Sequence, residues 1–389
     1  MEQIEEKIVD MLSAFIAIPS VNPGDRPESA SGLYGEGPYV DWVEKLGIQL
    51  GYSVGRKEIL PGRPNLFLST GPQRAGEGIL LFQTHSDVVE PGNMAEAFRA
   101  RVEEGRIYGR GSCDAKGQLC AMLLGIELAR RAVGELPREI WIALCCDEEH
   151  KHRGVDDFVL DAPRICAAIV GEPTELHLAA GCKGSIRFVI RTTGQTAHTS
   201  SPENGKNAIY LMAKIVSNLE QTAVPYMERR RDELCGRASV AVSLIQGGSC
   251  VNAVPDACEI HVDARLIPGM NWQETYEKLK GIACLGLGEP ERERVIFEKP
   301  YLIDPSYRSW ENPAMEEAFL QAMRNNHLPD SLGGVSFGCD ASKLARLQAP
   351  VYIFGPGSIR QAHTEEEFIS IQEIRQAACV YRDFILNLG

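Results

Sequence analysis

The chain has 389 residues, more than one typical hydrophobic core serves, so two domains are expected. Hydrophobic residues at 44% and charged residues at 24% fit a soluble globular protein, and a formal net charge of −13 argues against nucleic-acid binding, which needs a basic footprint. The start Met-Glu-Gln-Ile-Glu-Glu-Lys lacks a signal-peptide pattern, no apolar run is long enough to span a bilayer, and the 12 cysteines form no CxxC pair; a cytoplasmic protein with reduced thiols is expected.

Ile4, Ile8, Met11, Leu12 and Phe15 recur at helical spacing and predict a first helix that Pro19 stops. Residues 20–37, rich in Pro, Gly and Ser, read as a loop. Short apolar runs at 79–82, 140–144, 167–170 and 351–354 predict buried strands, and residues 116–133 predict a helix through Leu119, Met122, Leu123, Ile126 and Leu128. This alternation predicts an α/β fold, a mostly parallel sheet flanked by helices. The middle differs: 185–193 and 239–266 alternate like half-exposed strands, with helices over 208–220 and 272–284. A smaller α+β domain at 184–297 is therefore expected, inserted into a discontinuous domain of 1–183 and 298–389.

The chemistry-bearing residues follow the buried strands, where open α/β sheets bind ligands. Gln83-Thr84-His85-Ser86-Asp87 follows the first strand, Asp147-Glu148-Glu149 the second and Gly171-Glu172-Pro173-Thr174 the third. His363 follows the fourth, past a Gly355-Pro356-Gly357 turn, and Asp114 lies in the glycine-rich loop 109–117 before the long helix. That loop could cradle phosphate, but it lacks the Gly-Lys-Ser/Thr ending of a P-loop. Each signal is weak alone: His-x-Asp pairs, acidic helix starts and Gly-Glu-Pro turns are common. Together they gather imidazoles and carboxylates, the ligands of a hydrolytic zinc site. His85, Asp114, Glu149, Glu172 and His363 suffice for two metals, which a shared carboxylate can bridge at about 3.5–4 Å. Asp87 is suited to holding the His85 ring, and the Glu148-Glu149 doublet offers one ligand and one general base.

These motifs as a set, with the opening Ile16-Ala17-Ile18-Pro19-Ser20-Val21-Asn22-Pro23, resemble the metallopeptidase family of acetylornithine deacetylase, succinyl-diaminopimelate desuccinylase, aminoacylase and glutamate carboxypeptidase over nearly the whole chain. The resemblance implies that His85 and Glu172 hold one zinc, Glu149 and His363 the other, and Asp114 bridges them beside a cis peptide to Ala115. It makes Glu148 the general base and Asp87 the residue that orients His85. It makes the inserted domain a lid and dimerisation domain. There His198, in Gly194-Gln195-Thr196-Ala197-His198-Thr199-Ser200, stabilises the oxyanion of the partner subunit's centre, while Asn252 and Arg265 bind substrate.

Glu at 172 resembles the deacylases and carboxypeptidases of the family, and the run from Gly355 to His363 most resembles acetylornithine deacetylase. The implied activity is removal of the acyl group from an N-acyl-L-amino acid, N-acetylornithine foremost, by a homodimer carrying two divalent metals. Zinc is expected, with cobalt and manganese as alternatives. A dipeptidase or carboxypeptidase with the same machinery is the competing enzyme, and a catalytically silent metal-bound binding protein the non-enzymatic alternative. His150 and His152 depart from the family pattern, which carries small or hydroxyl residues there; each is either a surface residue or part of a substrate pocket.

Overall fold

The computed structural model describes residues 2–26, 32–71 and 78–388; the expected loop over 20–37 falls partly outside them, at 27–31. The chain divides into two compact units, one of residues 1–180, 309–333 and 339–389, the other of 181–308 and 334–338.

The strands that matter here are β1 (Ser53–Leu60), β2 (Arg63–Ser69), β3 (Ile79–His85), β4 (Ile140–Cys145), β5 (Ile165–Val170), β6 (Leu178–Cys182), β7 (Gly184–Thr193), β8 (Ser239–Gly247), β9 (Ala257–Leu266) and β10 (Val351–Ile353). In the first unit they form a mixed sheet in the order β1-β2-β4-β3-β5-β10-β6. The four central strands, β4-β3-β5-β10, run parallel. The flanking strands are antiparallel, because β1 and β2 form a hairpin laid against β4 and β6 pairs back on β10. All seven residues of β3 are buried, as expected of a central strand covered on both faces.

The first helix spans Glu2–Ile16 and buries Ile8, Leu12, Phe15 and Ile16 completely. The long central helix runs Lys116–Val133 and packs on the C-terminal helix Ile371–Leu386. Gly125 permits that approach: a Cβ there would lie 2.6 Å from Tyr381 Cβ and 2.9 Å from the Ala378 carbonyl oxygen.

The second unit has its own core. Ile186, Phe188 and Ile190 of β7 and Ile260, Val262 and Ala264 of β9 are buried against Leu211, Met212 and Ile215 of helix Ala208–Asn218 and Leu279 of helix Trp272–Ala283. β9 alternates buried and half-buried residues along its length, the mark of a sheet covered by helices on one face. The unit runs past the expected boundary at 297: Leu302–Asp304 pairs antiparallel with β7, Ile303 opposite Ile186, and so belongs to the inserted unit. Three residues are too short for a period-2 pattern, so only the pairing partner reveals this membership.

Candidate metal centre

β3, β4 and β5 end side by side, in parallel register, which brings the turns after His85, Cys145 and Val170 to one rim. Among the described residues four triads of imidazole and carboxylate donors form there, two of them built on Glu148 (with His85 and Glu149, and with His152 and Asp340) and two sharing Asp114. Donor atoms of His85, Asp114 and Glu172 lie within 4.8 Å of one another, and so do those of Asp114, Glu149 and His363. His85 Nε2 is 2.9 Å from Asp114 Oδ1, whereas His363 Nε2 is 3.3 Å from Asp114 Oδ2 and 3.0 Å from Glu149 Oε1. The Asp114–Ala115 peptide is cis, and His363 takes a left-handed backbone at φ 63°.

Proton placement follows from partner chemistry. His85 Nδ1 is 2.9 Å from the Asp87 backbone carbonyl, which can only accept, so Nδ1 carries the hydrogen and Nε2 is left to face the shared aspartate. Burial works against a charge on His85, but hydrogen bonds with Asp114 and Asp87 overcome it and hold the imidazole well above its ordinary pKa. Hydrogen bonds with Asp114 and Glu149 raise His363 to about 10. Burial pushes Glu148 and Glu172 well above the carboxylate range, reinforced by the charges crowded around them.

This donor set fits divalent cations. The three candidate ligand carboxylates Asp114, Glu149 and Glu172, with Glu148 beside them, would carry four negative charges once deprotonated, and two divalent ions would balance them. Buried charge of one sign demands such a partner. The imidazole and carboxylate donors are those of hydrolytic zinc centres, and with Asp114 common to two triads each of these would offer an ion three protein groups.

Glu148 is positioned by its main chain. Four consecutive N–H groups donate to buried side chains from elsewhere: Cys146 to Asn65 Oδ1 at 3.0 Å, Asp147 to Glu36 Oε1 at 3.1 Å, Glu148 to Asp87 Oδ1 at 3.1 Å and Glu149 to Asp87 Oδ2 at 3.0 Å. Arg63 grips Glu36 with two bonds, at 2.6 and 2.7 Å, and reaches Asp147 at 2.9 Å. Asp147 has a left-handed backbone at φ 68°, a conformation that persists in a non-glycine residue when its surroundings over-determine it. The Asp87 carboxylate thus holds the Glu148-Glu149 turn as well as facing His85, with Oδ1 3.6 Å from His85 Nδ1, farther than the Asp87 carbonyl.

Asn65, Glu36 and Arg63 escape sequence reasoning because they sit far away in the chain without a motif. Asp340 escapes it too: it accepts from Gln83 Nε2 at 2.6 Å and contacts His152 Nδ1 at 2.9 Å, with Glu148 Oε1 3.8 Å from the same imidazole nitrogen. His152 therefore stands beside the proposed base. His150 lines a cavity of about 390 Å³ with Asn22, Gly24, Val89, Glu90, Glu149 and His363, so it is a pocket residue adjoining the candidate ligands.

The residues expected to complete the site lie in the second unit. His198 and Asn252 come from distant segments that the fold joins: His198 bridges to Ala253, and the Thr199 N–H donates to the Asn252 carbonyl at 3.1 Å. The Ser200 N–H donates to His198 Nδ1 at 3.2 Å, so that nitrogen is an acceptor and the exposed Nε2 is the donor. Arg265 is half-buried on β9 and donates to Asp263 Oδ2 at 3.0 Å.

A mixed α/β sheet that gathers two His/carboxylate triads around one aspartate fits a class, the hydrolases that work with two divalent metals. Residues 81–387 match the model of peptidase family M20/M25/M40, and the chain belongs to that family. It is 29% identical over 355 residues to an acetylornithine deacetylase of Myxococcus xanthus, covering 88% of this chain and 90% of the relative. Its fold is that of a Staphylococcus aureus tripeptidase (TM-score 0.79, 19% identity, 99% of this chain and 98% of that one). It is likewise that of an M20 family metallo-carboxypeptidase of Sulfolobus solfataricus (TM-score 0.78, 18% identity, 98% and 99%). The chain is a hydrolase of amide bonds, which sets aside the silent binding protein. Among the described residues no helix is long and apolar enough to cross a membrane.

Proposed function

We propose that the chain is a dinuclear-metal deacylase that releases a carboxylate and a free amino acid from an N-acyl-L-amino acid, with N-acetylornithine as the leading substrate. The observation that carries this reading is the pair of triads sharing Asp114 with Glu148 beside them. His85 and Glu172 would hold one ion, Glu149 and His363 the other, and Asp114 would serve both. Bound there, zinc supplies Lewis acidity toward the acyl oxygen and lowers the pKa of water.

Glu148 takes the proton of the attacking water and delivers it to the departing amine. The Asp87, Glu36 and Asn65 acceptors fix the main chain from which it reaches. His198 Nε2–H is suited to stabilising the oxyanion, and Arg265 to anchoring a substrate carboxylate once it exchanges Asp263 for it. The deacetylase relative supports hydrolysis of an N-acyl amino acid over cleavage of a peptide.

A homodimer through the inserted unit belongs to the same reading. β8 is an edge: among the described strands it pairs only with β9. It exposes Leu244 (55%) and Ile245 (59%), and the neighbouring helix exposes Tyr210 (72%). A long apolar edge strand is ordinarily covered, and a second copy of β8 would cover it.

The test is amine release from a panel of N-acetyl amino acids and dipeptides by metal-loaded protein. Turnover concentrated on the N-acetyl compounds supports the deacylase; turnover of dipeptides alone overturns it in favour of a peptidase. Protein that binds no divalent metal at neutral pH overturns the centre altogether.

A further inference from the structure

The glycine-rich loop 109–117 has the look of an anion cradle, and the structure shows an anion in it. The Glu367 carboxylate, fully buried, receives Gly111 N–H at 3.0 Å and Arg110 Nη1 at 2.7 Å on Oε2. On Oε1 it receives Cys113 N–H at 2.9 Å and Asp114 N–H at 3.1 Å. Successive main-chain N–H groups turned inward form a concavity that binds negative charge. Gly111 makes the turn possible: its φ is +82°, and a Cβ there would meet Val88 Cγ1 at 2.7 Å.

Main-chain pairing seats Glu367. Phe368–Ser370 pairs antiparallel with Arg106–Tyr108, Phe368 opposite Tyr108, and the Gly109 N–H donates to the Glu367 carbonyl at 3.1 Å. Glu367 follows His363 by four residues. One buried carboxylate therefore ties the loop carrying Asp114 to the loop carrying His363.

We propose that Glu367 is a positioning residue for the metal centre: as the internal anion of the 111–114 cradle, it sets Asp114 in register with His363. The inference rests on the reading of Asp114 and His363 as metal ligands. Each of its four bonds is charge-assisted, and no neutral side chain of the same shape replaces them, since an amide would turn an N–H toward main-chain donors. The cradle is filled by the protein itself, so it is not a phosphate site.

The experiment titrates the metal-free wild-type chain and Glu367→Gln with Zn²⁺ against a chromophoric chelator. It also records the visible absorption of the Co²⁺-loaded proteins and the thermal unfolding of the metal-free ones. We expect Glu367→Gln to weaken metal binding by about ten- to a hundredfold, the range for residues that orient ligands, and to alter the Co²⁺ band. A merely structural Glu367 would lower the unfolding temperature and leave the affinity and spectrum of the folded molecules unchanged, which overturns the proposal. Should Glu367→Gln fail to fold, the same titration on Glu367→Asp decides: the charge remains, the reach shortens by a methylene, and unchanged affinity and spectrum overturn the proposal. If the wild type itself binds no metal, the ligand reading fails, an outcome distinct from a wild type and variants that bind alike.

Discussion

The Asp87 carboxylate accepts the main-chain N–H of Glu148, 61 residues away in sequence, at 3.1 Å. Its second oxygen takes the Glu149 N–H and, at 2.6 Å, the Asn22 amide. Asp87→Asn would aim an N–H₂ at one of these donors. We expect kcat to fall about ten- to a hundredfold, the range for residues that orient a metal centre, even at saturating metal. Full kcat on restoring metal saturation would show that Asp87 acts on His85 alone.

Glu148→Gln keeps the size of the side chain and removes its basicity. The expected loss in kcat is about 10²- to 10⁴-fold, with substrate affinity and metal content retained. Steady-state kinetics with metal analysis on the same preparation checks this; unaltered turnover removes Glu148 from the proton path.

Metal binding should release protons. Hydrogen bonds with Asp114 and Glu149 hold His363 at about 10, so the metal-free chain keeps a proton there at neutral pH that a metal must displace. Apparent metal affinity should therefore rise with pH up to about 10. Calorimetry at pH 7 in two buffers of different ionisation enthalpy measures the release, and equal heats would contradict it. In the metal-free chain the same raised pKa contributes stability that is complete below the ordinary value of 6.5 and lost as pH rises through about 10.

Arg63→Met should destabilise the fold. Glu36 is fully buried and Arg63 nearly so, and removing Arg63 leaves Glu36 without its cation, whereas Asp147 keeps Arg153 at 3.0 Å. Breaking such a pair costs about 3–5 kcal/mol. Urea unfolding at pH 7 reads this directly; a change below 1 kcal/mol, roughly the value of an exposed pair, would mean that water reaches the site.

The exposed edge gives a separate prediction. Leu244→Glu with Ile245→Lys changes no buried residue of the second unit, since both residues are more than half exposed. Sedimentation should show the wild type as a dimer and the variant as a monomer, with circular dichroism confirming that the variant remains folded. A monomeric, fully active wild type would remove any role for His198 in a partner's centre.

Much of the centre was legible because its residues follow strands whose apolar runs announce themselves. Ile79–His85 and Ile140–Cys145 end where their runs give way to His85 and Asp147, so chain order alone placed these groups near strand ends. The helix Lys116–Val133 was legible to its bounds for the same reason, a sustained helical period. The direction of the outer strands was not, because an antiparallel and a parallel neighbour leave the same apolar run; nor was the pairing of Leu302–Asp304 with β7, too short to carry a pattern.

What the sequence by itself determined is the donor inventory: two histidines and a set of carboxylates of the kind divalent ions need, each adjoining an apolar strand or helix. What only the tertiary structure decided is how they meet. That Asp114 sits in two triads, that the Asp87 carboxylate holds the Glu148-Glu149 turn, and that Glu367 fills the glycine-rich cradle are pairings across 29 to 257 residues of chain. No local pattern encodes them. They follow from a buried carboxylate's need for donors, met by whichever main-chain N–H groups or arginine the fold brings within reach.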